Sequence, residues 1–249
     1  MLPQLLYNPV GLPYDSTVHS QAEFTPTQKT VTKMIEMLEP KDYDILRKQN
    51  IIQNFDIEKL CNEAIDNNFA AVCVNPVYVP LASDMLNGQD SKVCTVVGFP
   101  MGADSTEMKF AESRYLTHQG AEELDMVINI AAIKEKNISL VKNEIVKIVD
   151  AADGNYVKVI IETCLLTDDE KKLASEIAMD AGAHFIKTST GFSLSGATEK
   201  DVKLIRKIIG SDMKIKASGG IKTLSDLKKL VKAGADRIGT SNAISMINE

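Results

Sequence analysis

The chain has 249 residues, of which 44% are hydrophobic, and a formal net charge of -6. This length is sufficient to bury a core and fits one α/β domain. Both charge signs are mixed along the chain without a basic block, which argues against a nucleic-acid or membrane-surface role and favours a small-molecule substrate.

The first 40 residues are predicted to form an N-terminal extension. Residues 1–26 are rich in turn-formers, and residues 27–39 have the pattern of an amphipathic helix. The start lacks a basic stretch followed by an apolar run, and no segment reaches about 18 consecutive apolar residues. We therefore expect a cytoplasmic protein whose catalytic domain spans residues 41–249.

From about residue 56 onward, helical patterns alternate with short apolar runs, as in βαβ units with a parallel sheet. The runs predicted as strands are 69–75, 92–99, 123–129, 157–163, 184–188, 213–218 and 236–240. A weaker eighth candidate lies at 43–49. Eight β/α units predict a (β/α)8 TIM barrel, whose active site lies at the C-terminal strand ends. An open doubly wound sheet is the alternative, but its glycine-rich dinucleotide turn is missing.

Three intervening helices carry start and stop signals. In the first, Asp104 and Glu107 have capping-box spacing and Gly120 can end the helix. Its expected apolar face consists of Met108, Ala111 and Tyr115. The segments 198–210 and 223–234 each begin with threonine and end with glycine, which predicts two further helices.

The cysteines give no metal or disulfide pattern. They are Cys61, Cys73, Cys94 and Cys164. They stand far apart, with no C-x-x-C and no histidine at ligand spacing. We expect four buried thiols in a reducing compartment, and neither a zinc site nor a disulfide framework.

A weak internal repeat places chemically active residues at matching strand positions. In three segments a helix ends at Gly-Ala and a strand follows; the residues five positions after the glycine are Asp125, Lys187 and Gly239. Because they fall on alternate strands, we expect them to share one interior layer of the barrel. Lys158 and Lys216, on the strands between, add two more amines.

A single lysine in an apolar strand usually extends its ammonium group into solvent. Three such lysines with an aspartate suggest a different purpose. Burial and a neighbouring ammonium group both lower the pKa of an amine, so one lysine of a close pair can become a neutral nucleophile. Schiff-base formation with a carbonyl substrate requires such an amine.

The chain resembles the family of 2-deoxyribose-5-phosphate aldolases, which are class I aldolases with a (β/α)8 barrel. The matching segments, in order and spacing, are KVCTVVGFPMGADSTEMK, ELDMVIN, KVIIETCLLTDDEK, FIKTSTGF and KASGGIKT. The resemblance extends over residues 56–240. The first strand departs from it: the family typically reads DHTLLK where this chain has DILRKQ at 44–49.

The resemblance implies a role for each site residue. Lys187 matches the lysine that forms the imine. Lys216 matches the neighbouring lysine, which in the family lowers the pKa of the imine-forming lysine. Asp125 matches the acid that moves protons together with a water and Lys216, and Lys158 matches a further lysine of the site. The implied reaction is reversible cleavage of 2-deoxy-D-ribose 5-phosphate to D-glyceraldehyde 3-phosphate and acetaldehyde, without metal or organic cofactor.

A phosphate site is expected in the loops after the last strands, where glycine-rich turns and a helix N-terminus offer backbone N–H donors. The candidate residues are Gly191, Ser193, Ser218, Gly219, Gly220, Gly239, Thr240 and Ser241. Phe192 stands where some family members carry a basic residue, so we expect binding to rely on the backbone.

Two alternatives stay open. One is a phosphosugar-binding barrel of the same family with weakened or lost catalysis, which the lysine cluster argues against. The other is a different Schiff-base barrel, such as a transaldolase or a sugar-bisphosphate aldolase, whose motifs match less well. The expected partner is a small phosphosugar, with no nucleic acid or membrane, and a homodimer is possible.

Overall fold

A computed structural model describes residues 54–248. The predicted extension, residues 1–40, and the strand candidate at 43–49 lie outside the described residues. The strands are β1 Ala71–Val74, β2 Lys92–Val97, β3 Glu123–Val127, β4 Tyr156–Ile160, β5 Phe185–Lys187, β6 Lys214–Ser218 and β7 Arg237–Gly239. The helices are α1 Asn54–Asn67, α2 Val79–Leu86, α3 Thr106–His118, α4 Ile130–Lys134, α5 Ile138–Ala151, α6 Asp168–Asp180, α7 Glu199–Ile209, α8 Leu224–Ala233 and α9 Ala243–Ile247.

All seven predicted strands are present within the described residues, mostly a residue or two shorter at their ends. They form one parallel sheet in chain order, β1 to β7, with helices between the strands. The sheet curls, since Arg237 on β7 lies 2.7 Å from both carboxylate oxygens of Glu123 on β3. The α/β barrel prediction is therefore confirmed, with seven of its strands described.

Strand alternation separates a hydrophobic core from a polar interior. On β4, Val157 and Val159 are fully buried and belong to the core between sheet and helices. Lys158 lies between them and faces the opposite side, inside the barrel. On β6, Ile215 and Ala217 in the same way flank Lys216. The period of two thus points the lysines of β4 and β6 into one interior.

Helices α7 and α8 begin and end as their sequences predict. Thr198 accepts a hydrogen bond from the Asp201 N–H at the start of α7. Thr223 and Asp226 form a capping box at the start of α8, and Gly234 ends it with φ of 116°. Helix α7 packs against β6, and α8 packs against α7.

The face of α3 was predicted wrongly. Met108 and Tyr115, expected in the core, are 63% and 62% exposed, and the cap is Ser105 rather than Asp104. The buried face instead carries Lys109 and Ser113. A buried face with paired polar groups cannot be recognised from hydrophobicity alone, and this is why the prediction selected the wrong side.

The prediction of four buried thiols was also wrong in part. Cys61 and Cys94 are buried, but Cys164 is half-buried and Cys73 is exposed. Cys73 lies between Val72 and Val74, both of which face the core, so its own side chain points to the other face of β1.

None of the helices in residues 54–248 has both the length and the apolar composition that a membrane span requires.

Candidate active site

The four predicted catalytic side chains meet inside the barrel at Asp125. Its Oδ2 atom accepts hydrogen bonds from Lys187 and Lys216, each at 2.8 Å, and its Oδ1 atom accepts one from Lys158 at 2.7 Å. In the sheet register, Asp125 on β3 is paired with Lys158 on β4, and Lys187 on β5 is paired with Lys216 on β6. Four adjacent strands, β3 to β6, therefore bring one carboxylate and three amines together.

The charges at this site are unequal in number. Asp125 and Lys158 have no solvent exposure, while Lys187 and Lys216 are each 6% exposed. Burial raises the pKa of the Asp125 carboxyl, but the charges of Lys187, Lys216 and Lys158 outweigh it and hold that pKa well below its usual range. Asp125 is thus an ionised base surrounded by cations.

Two of the lysines are themselves held in the charged form. Burial lowers the pKa of Lys216. Asp125, Cys94 and Cys73 outweigh burial and raise the pKa of Lys216 above its usual value. The pKa of Lys158 is raised in the same way, by Cys94, Asp125 and Glu123 against burial. Both lysines are therefore charged at neutral pH and can donate hydrogen bonds.

Lys187 and Lys216 keep N–H donors available. Each ammonium group has three N–H bonds, and within the part of the chain that the structure describes each donates only to Asp125. Lys158 is different, because it also lies 2.6 Å from Glu123 and 3.4 Å from the Cys94 sulfur. The first two lysines can thus bind a carbonyl or hydroxyl oxygen, whereas Lys158 is fixed on several sides.

A charged layer next to Asp125 was missed from the sequence. Glu123 accepts from Lys158 and, through both oxygens, from Arg237 at 2.7 Å. The Arg237 guanidinium lies over the Phe185 ring, 5.0 Å from its centroid. A signal existed, since Glu123 stands two residues before Asp125 and so faces the same interior. This layer anchors Lys158 against Asp125.

Glu162 is a second residue that the sequence did not reveal. It follows β4, is buried, and has left-handed backbone angles, φ 49° and ψ 68°. Its Oε2 atom accepts hydrogen bonds from the Thr190 N–H, at 3.1 Å, and from the Thr190 hydroxyl. A non-glycine residue in this conformation is uncommon and clusters at functional sites. Glu162 holds the loop that follows Lys187.

The predicted phosphate-binding loops pack against each other beside Lys187. The Ala197 N–H donates to the carbonyl groups of Ser218, at 3.0 Å, and Gly219, at 3.1 Å. Gly219 has φ of 85°, and a Cβ atom there would lie 3.0 Å from Gly196 Cα and 3.5 Å from Gly191 Cα. Gly191, Ser218 and Gly219 thus lie together, in a contact that only glycine permits.

The other predicted phosphate residues are placed as follows. Gly220 follows Gly219 directly, and Gly239 is the register partner of Ser218. The Thr240 hydroxyl donates to the Ile221 carbonyl at 2.8 Å, which joins the loop after β7 to the one after β6. Two residues have other contacts: the Ser193 hydroxyl lies 3.3 Å from the Cys164 sulfur, and the Ser241 hydroxyl lies 3.4 Å from Asn242 Oδ1.

Donors remain available at the glycine turn. Neither Gly219 nor Gly220 donates a backbone hydrogen bond to any residue in 54–248. Both have positive φ, at 85° and 72°. Successive N–H groups in such a turn can form a concave anion site.

One group of side chains has the composition of a metal site. Ligand atoms of Cys73, Cys94 and Asp125 lie within 4.8 Å of one another, the one such group among residues 54–248. Asp125 already accepts hydrogen bonds from three ammonium groups, so it is a poor ligand for a cation. The expectation of a metal-free site stays a prediction.

The comparisons with known proteins agree with one another. The family model described as DeoC/LacD family aldolase matches residues 28–245. A deoxyribose-phosphate aldolase of Dictyoglomus turgidum is 51% identical over 213 residues, covering 86% of this chain and 96% of that protein. One of Coprothermobacter proteolyticus is 50% identical over 208 residues, covering 84% and 94%.

A solved structure extends the likeness to the fold. The deoxyribose phosphate aldolase of Aeropyrum pernix, whose structure is described as tetrameric, has a TM-score of 0.74 and 34% identity. The match covers 80% of this chain and 84% of that one. With the family model matching most of its length, the chain belongs to the DeoC/LacD family of aldolases and is an enzyme.

Proposed function

We propose that the protein reversibly cleaves 2-deoxy-D-ribose 5-phosphate to D-glyceraldehyde 3-phosphate and acetaldehyde through a Schiff base on Lys187. The observation that carries the proposal is the shared Asp125 Oδ2 atom, 2.8 Å from both the Lys187 and the Lys216 amines. The relatives named deoxyribose-phosphate aldolase support the choice of substrate.

The first stage joins substrate and enzyme. Once its ammonium group has lost a proton, the Lys187 amine adds to the C1 aldehyde of the open-chain sugar, forming a C–N bond and a carbinolamine. Loss of the C1 hydroxyl as water gives a protonated imine. Lys216, held in its charged form beside Asp125, can protonate the departing hydroxyl, and Asp125 can accept the proton that the amine releases.

The second stage breaks the carbon chain. A base removes the C3 hydroxyl proton, the C2–C3 bond breaks, and its electron pair moves into the imine to give an enamine. D-glyceraldehyde 3-phosphate leaves. Protonation at C2 and hydrolysis of the resulting imine then release acetaldehyde. We assign the proton transfers to Asp125 with Lys216 and a water, since the carboxylate lies within hydrogen-bonding distance of both amines.

Lys158 is proposed as a positioning residue. It is bound between Asp125 and Glu123, so its amine is poorly placed to react as a nucleophile. Its hydrogen bond to Oδ1 leaves Oδ2 directed at Lys187 and Lys216. This orientation prepares the carboxylate for proton transfer before substrate binds.

The substrate phosphate is assigned to the glycine turns beside Lys187. Gly191, Ser218 and Gly219 lie together, Gly220 and Gly239 adjoin them, and the N–H groups of Gly219 and Gly220 donate to no described residue. Thr240, Ser193 and Ser241 are retained as outer contacts of the same site. A cytoplasmic location and a homodimer stay predictions.

The test is an assay of acetaldehyde release from 2-deoxy-D-ribose 5-phosphate. We expect the parent protein to release acetaldehyde, Lys187→Leu to release none, and Lys214→Leu to retain activity. Lys214 is the matched control because it lies on the same strand as Lys216 but is exposed. A folded parent that binds the sugar phosphate without releasing acetaldehyde would support a non-catalytic binding barrel instead.

A further inference from the structure

Two thiols lie directly beside the proposed catalytic carboxylate. Cys73 on β1 and Cys94 on β2 are register partners, and their sulfur atoms are 3.7 Å apart. Cys94 also lies 3.2 Å from Asp125 Oδ1. The proposed mechanism uses neither thiol.

We propose that Cys73 and Cys94 form a reversible thiol modification site, which peroxides convert to a disulfide at the edge of the candidate active site. Cα atoms of register partners on adjacent strands are about 4.8 Å apart, within the range of about 4.4–6.8 Å that a disulfide spans. The sulfur atoms need only approach from 3.7 Å to a bond length of about 2.05 Å.

The two thiols differ in a way that suits this chemistry. Cys73 is exposed and Cys94 is buried. The hydrogen bond from Cys94 lowers the pKa of Cys73 to about 6, with help from Lys216 and Lys187 and against desolvation by the surrounding protein. Burial raises the pKa of Cys94. An accessible thiolate beside a protonated thiol is the arrangement in which one cysteine is attacked by an oxidant and the other resolves it.

The reaction is balanced by one peroxide. The Cys73 thiolate attacks a peroxide oxygen, the O–O bond breaks, and hydroxide leaves with one proton as water. Cys94 then attacks the sulfur of the resulting sulfenic acid, the S–O bond breaks, and the leaving hydroxide takes the Cys94 proton as a second water. Both sulfurs are oxidised by one electron each, and hydrogen peroxide is reduced to two waters.

A bound cation is the competing use of the same thiols. Asp125 would have to serve as the third ligand, yet Lys158, Lys187 and Lys216 already donate to it. Disulfide formation needs only the two sulfurs, so the geometry favours oxidation.

The disulfide would act on the proposed aldolase site. Forming it moves the Cys94 sulfur toward β1 and away from Asp125 Oδ1 and the Lys158 amine, which lie 3.2 Å and 3.4 Å from it. Asp125 then loses one of its neighbours. This consequence for activity rests on the proposed function, whereas the bond itself does not.

The test treats the full chain with hydrogen peroxide without added thiol and measures its intact mass. We expect a loss of about 2 Da, the mass of two hydrogens, and a disulfide between tryptic peptides 60–92 and 93–109. Because peptide 60–92 also contains Cys61, Cys61→Ser should still form the bond. Cys73→Ser and Cys94→Ser should not, while Cys164→Ser should behave like the parent.

Activity is compared before and after peroxide within each protein, so that basal differences between variants do not matter. We expect the parent to lose activity several-fold and to recover it with dithiothreitol, and Cys94→Ser not to show that reversible loss. Oxygen added to Cys73 without a disulfide would overturn the proposal. A Cys73–Cys94 disulfide with unchanged activity would overturn its effect on the aldolase site. The mass readout holds even if the substrate assignment fails.

Discussion

Among residues 54–248, the buried lysine–carboxylate sites around Lys109 and around Asp125 differ in how their hydrogen bonds are completed. Between α3 and α5, the Lys109 amine donates to the Gly102 carbonyl, the Val127 carbonyl and Glu144, at 3.0, 2.8 and 2.9 Å. All three of its N–H donors are used. Inside the barrel, Asp125 faces three amines, and Lys187 and Lys216 each donate to it alone within the described chain.

The difference separates a structural lysine from candidate catalytic ones. Lys109 and Glu144 balance each other in charge, and the Lys109 amine has no N–H donor left for a ligand. At Asp125 the cations outnumber the nearest carboxylates even when Glu123 is included, and donors stay available. We infer that complete pairing indicates support of the fold, and that excess amines with available donors indicate chemistry.

The largest effect should come from removing one lysine from each site. Lys187→Leu should abolish imine formation and lower turnover by about 10⁴-fold or more, because the nucleophile is lost. Its stability should change little, since Asp125 keeps two amines. Lys109→Met should do the reverse: it leaves Glu144 buried without its cation and should lower the free energy of unfolding by about 3–5 kcal/mol.

Turnover and urea unfolding of both variants measure this contrast. The double variant Lys109→Met with Glu144→Leu is the control, since removing both charges should restore much of the stability. If Lys109→Met inactivated the folded enzyme and Lys187→Leu did not, the two sites would have been assigned the wrong way round.

Lys216→Leu should have the next largest effect on activity. Lys187 and Lys216 share Asp125 Oδ2. A neighbouring ammonium group favours the neutral, nucleophilic form of an amine, and Lys216→Leu removes that neighbour. Trapping of the imine by borohydride should fall at pH 7 and recover as the pH is raised to 9 or 10. Turnover should recover less, because Lys216 is also proposed to take part in the proton transfers.

Lys214→Leu, two residues away on the same strand, should trap substrate like the parent at every pH. The electrostatic role of Lys216 is wrong if its removal leaves trapping at pH 7 unchanged.

The charge of Asp125 should also contribute to stability. Its pKa is lowered in the folded state, so its contribution is fully present above the unfolded value of about 3.9 and is lost as the pH falls below it. Asp125→Asn should lower the free energy of unfolding at pH 7 by up to about 3–5 kcal/mol, since it leaves the Lys187 and Lys216 amines without a carboxylate and Lys158 with Glu123 alone.

Urea unfolding between pH 3 and 7 measures the difference between Asp125→Asn and the parent. That difference should shrink below about pH 4. A difference that stays constant down to pH 3 would show that the carboxylate charge is not what stabilises the site.

A smaller effect is expected at Glu162, which is outside the amine cluster. Glu162→Gln replaces a charged acceptor of two Thr190 hydrogen bonds by a neutral one, a loss of about 1 kcal/mol. We expect KM for the sugar phosphate to rise about fivefold with little change in kcat, because the loop after Lys187 carries the proposed phosphate site. Exposed Glu176→Gln on α6 is the control. A fall in kcat alone would instead assign Glu162 to the chemical steps.

The sequence predicted the barrel and the Asp125 cluster for a simple reason. A period of two along each strand fixes which side chains face inward, and alternating β/α units fix the order of the strands. Lys158, Lys187 and Lys216 could therefore be placed beside Asp125 without any tertiary information.

The residues that were missed depend on contacts between distant segments. The buried face of α3 contains Lys109, which is tolerated only because Glu144 comes from another helix. The left-handed backbone of Glu162 and its hydrogen bonds to Thr190 join two loops that are 28 residues apart in the chain. Neither the pairing of polar groups nor such a backbone conformation has a periodic signal in the sequence.

The most direct test of the central claim adds acetaldehyde and borohydride to the folded enzyme and maps the modified peptide. Reduction captures the imine on whichever amine forms it. We expect one ethyl group on Lys187 and none on Lys109, Lys158 or Lys214. In the Lys216→Leu variant the same residue should be modified, weakly at pH 7 and more strongly at pH 9 or 10. An adduct on Lys109, on Lys158, or on no lysine of the folded protein would contradict it.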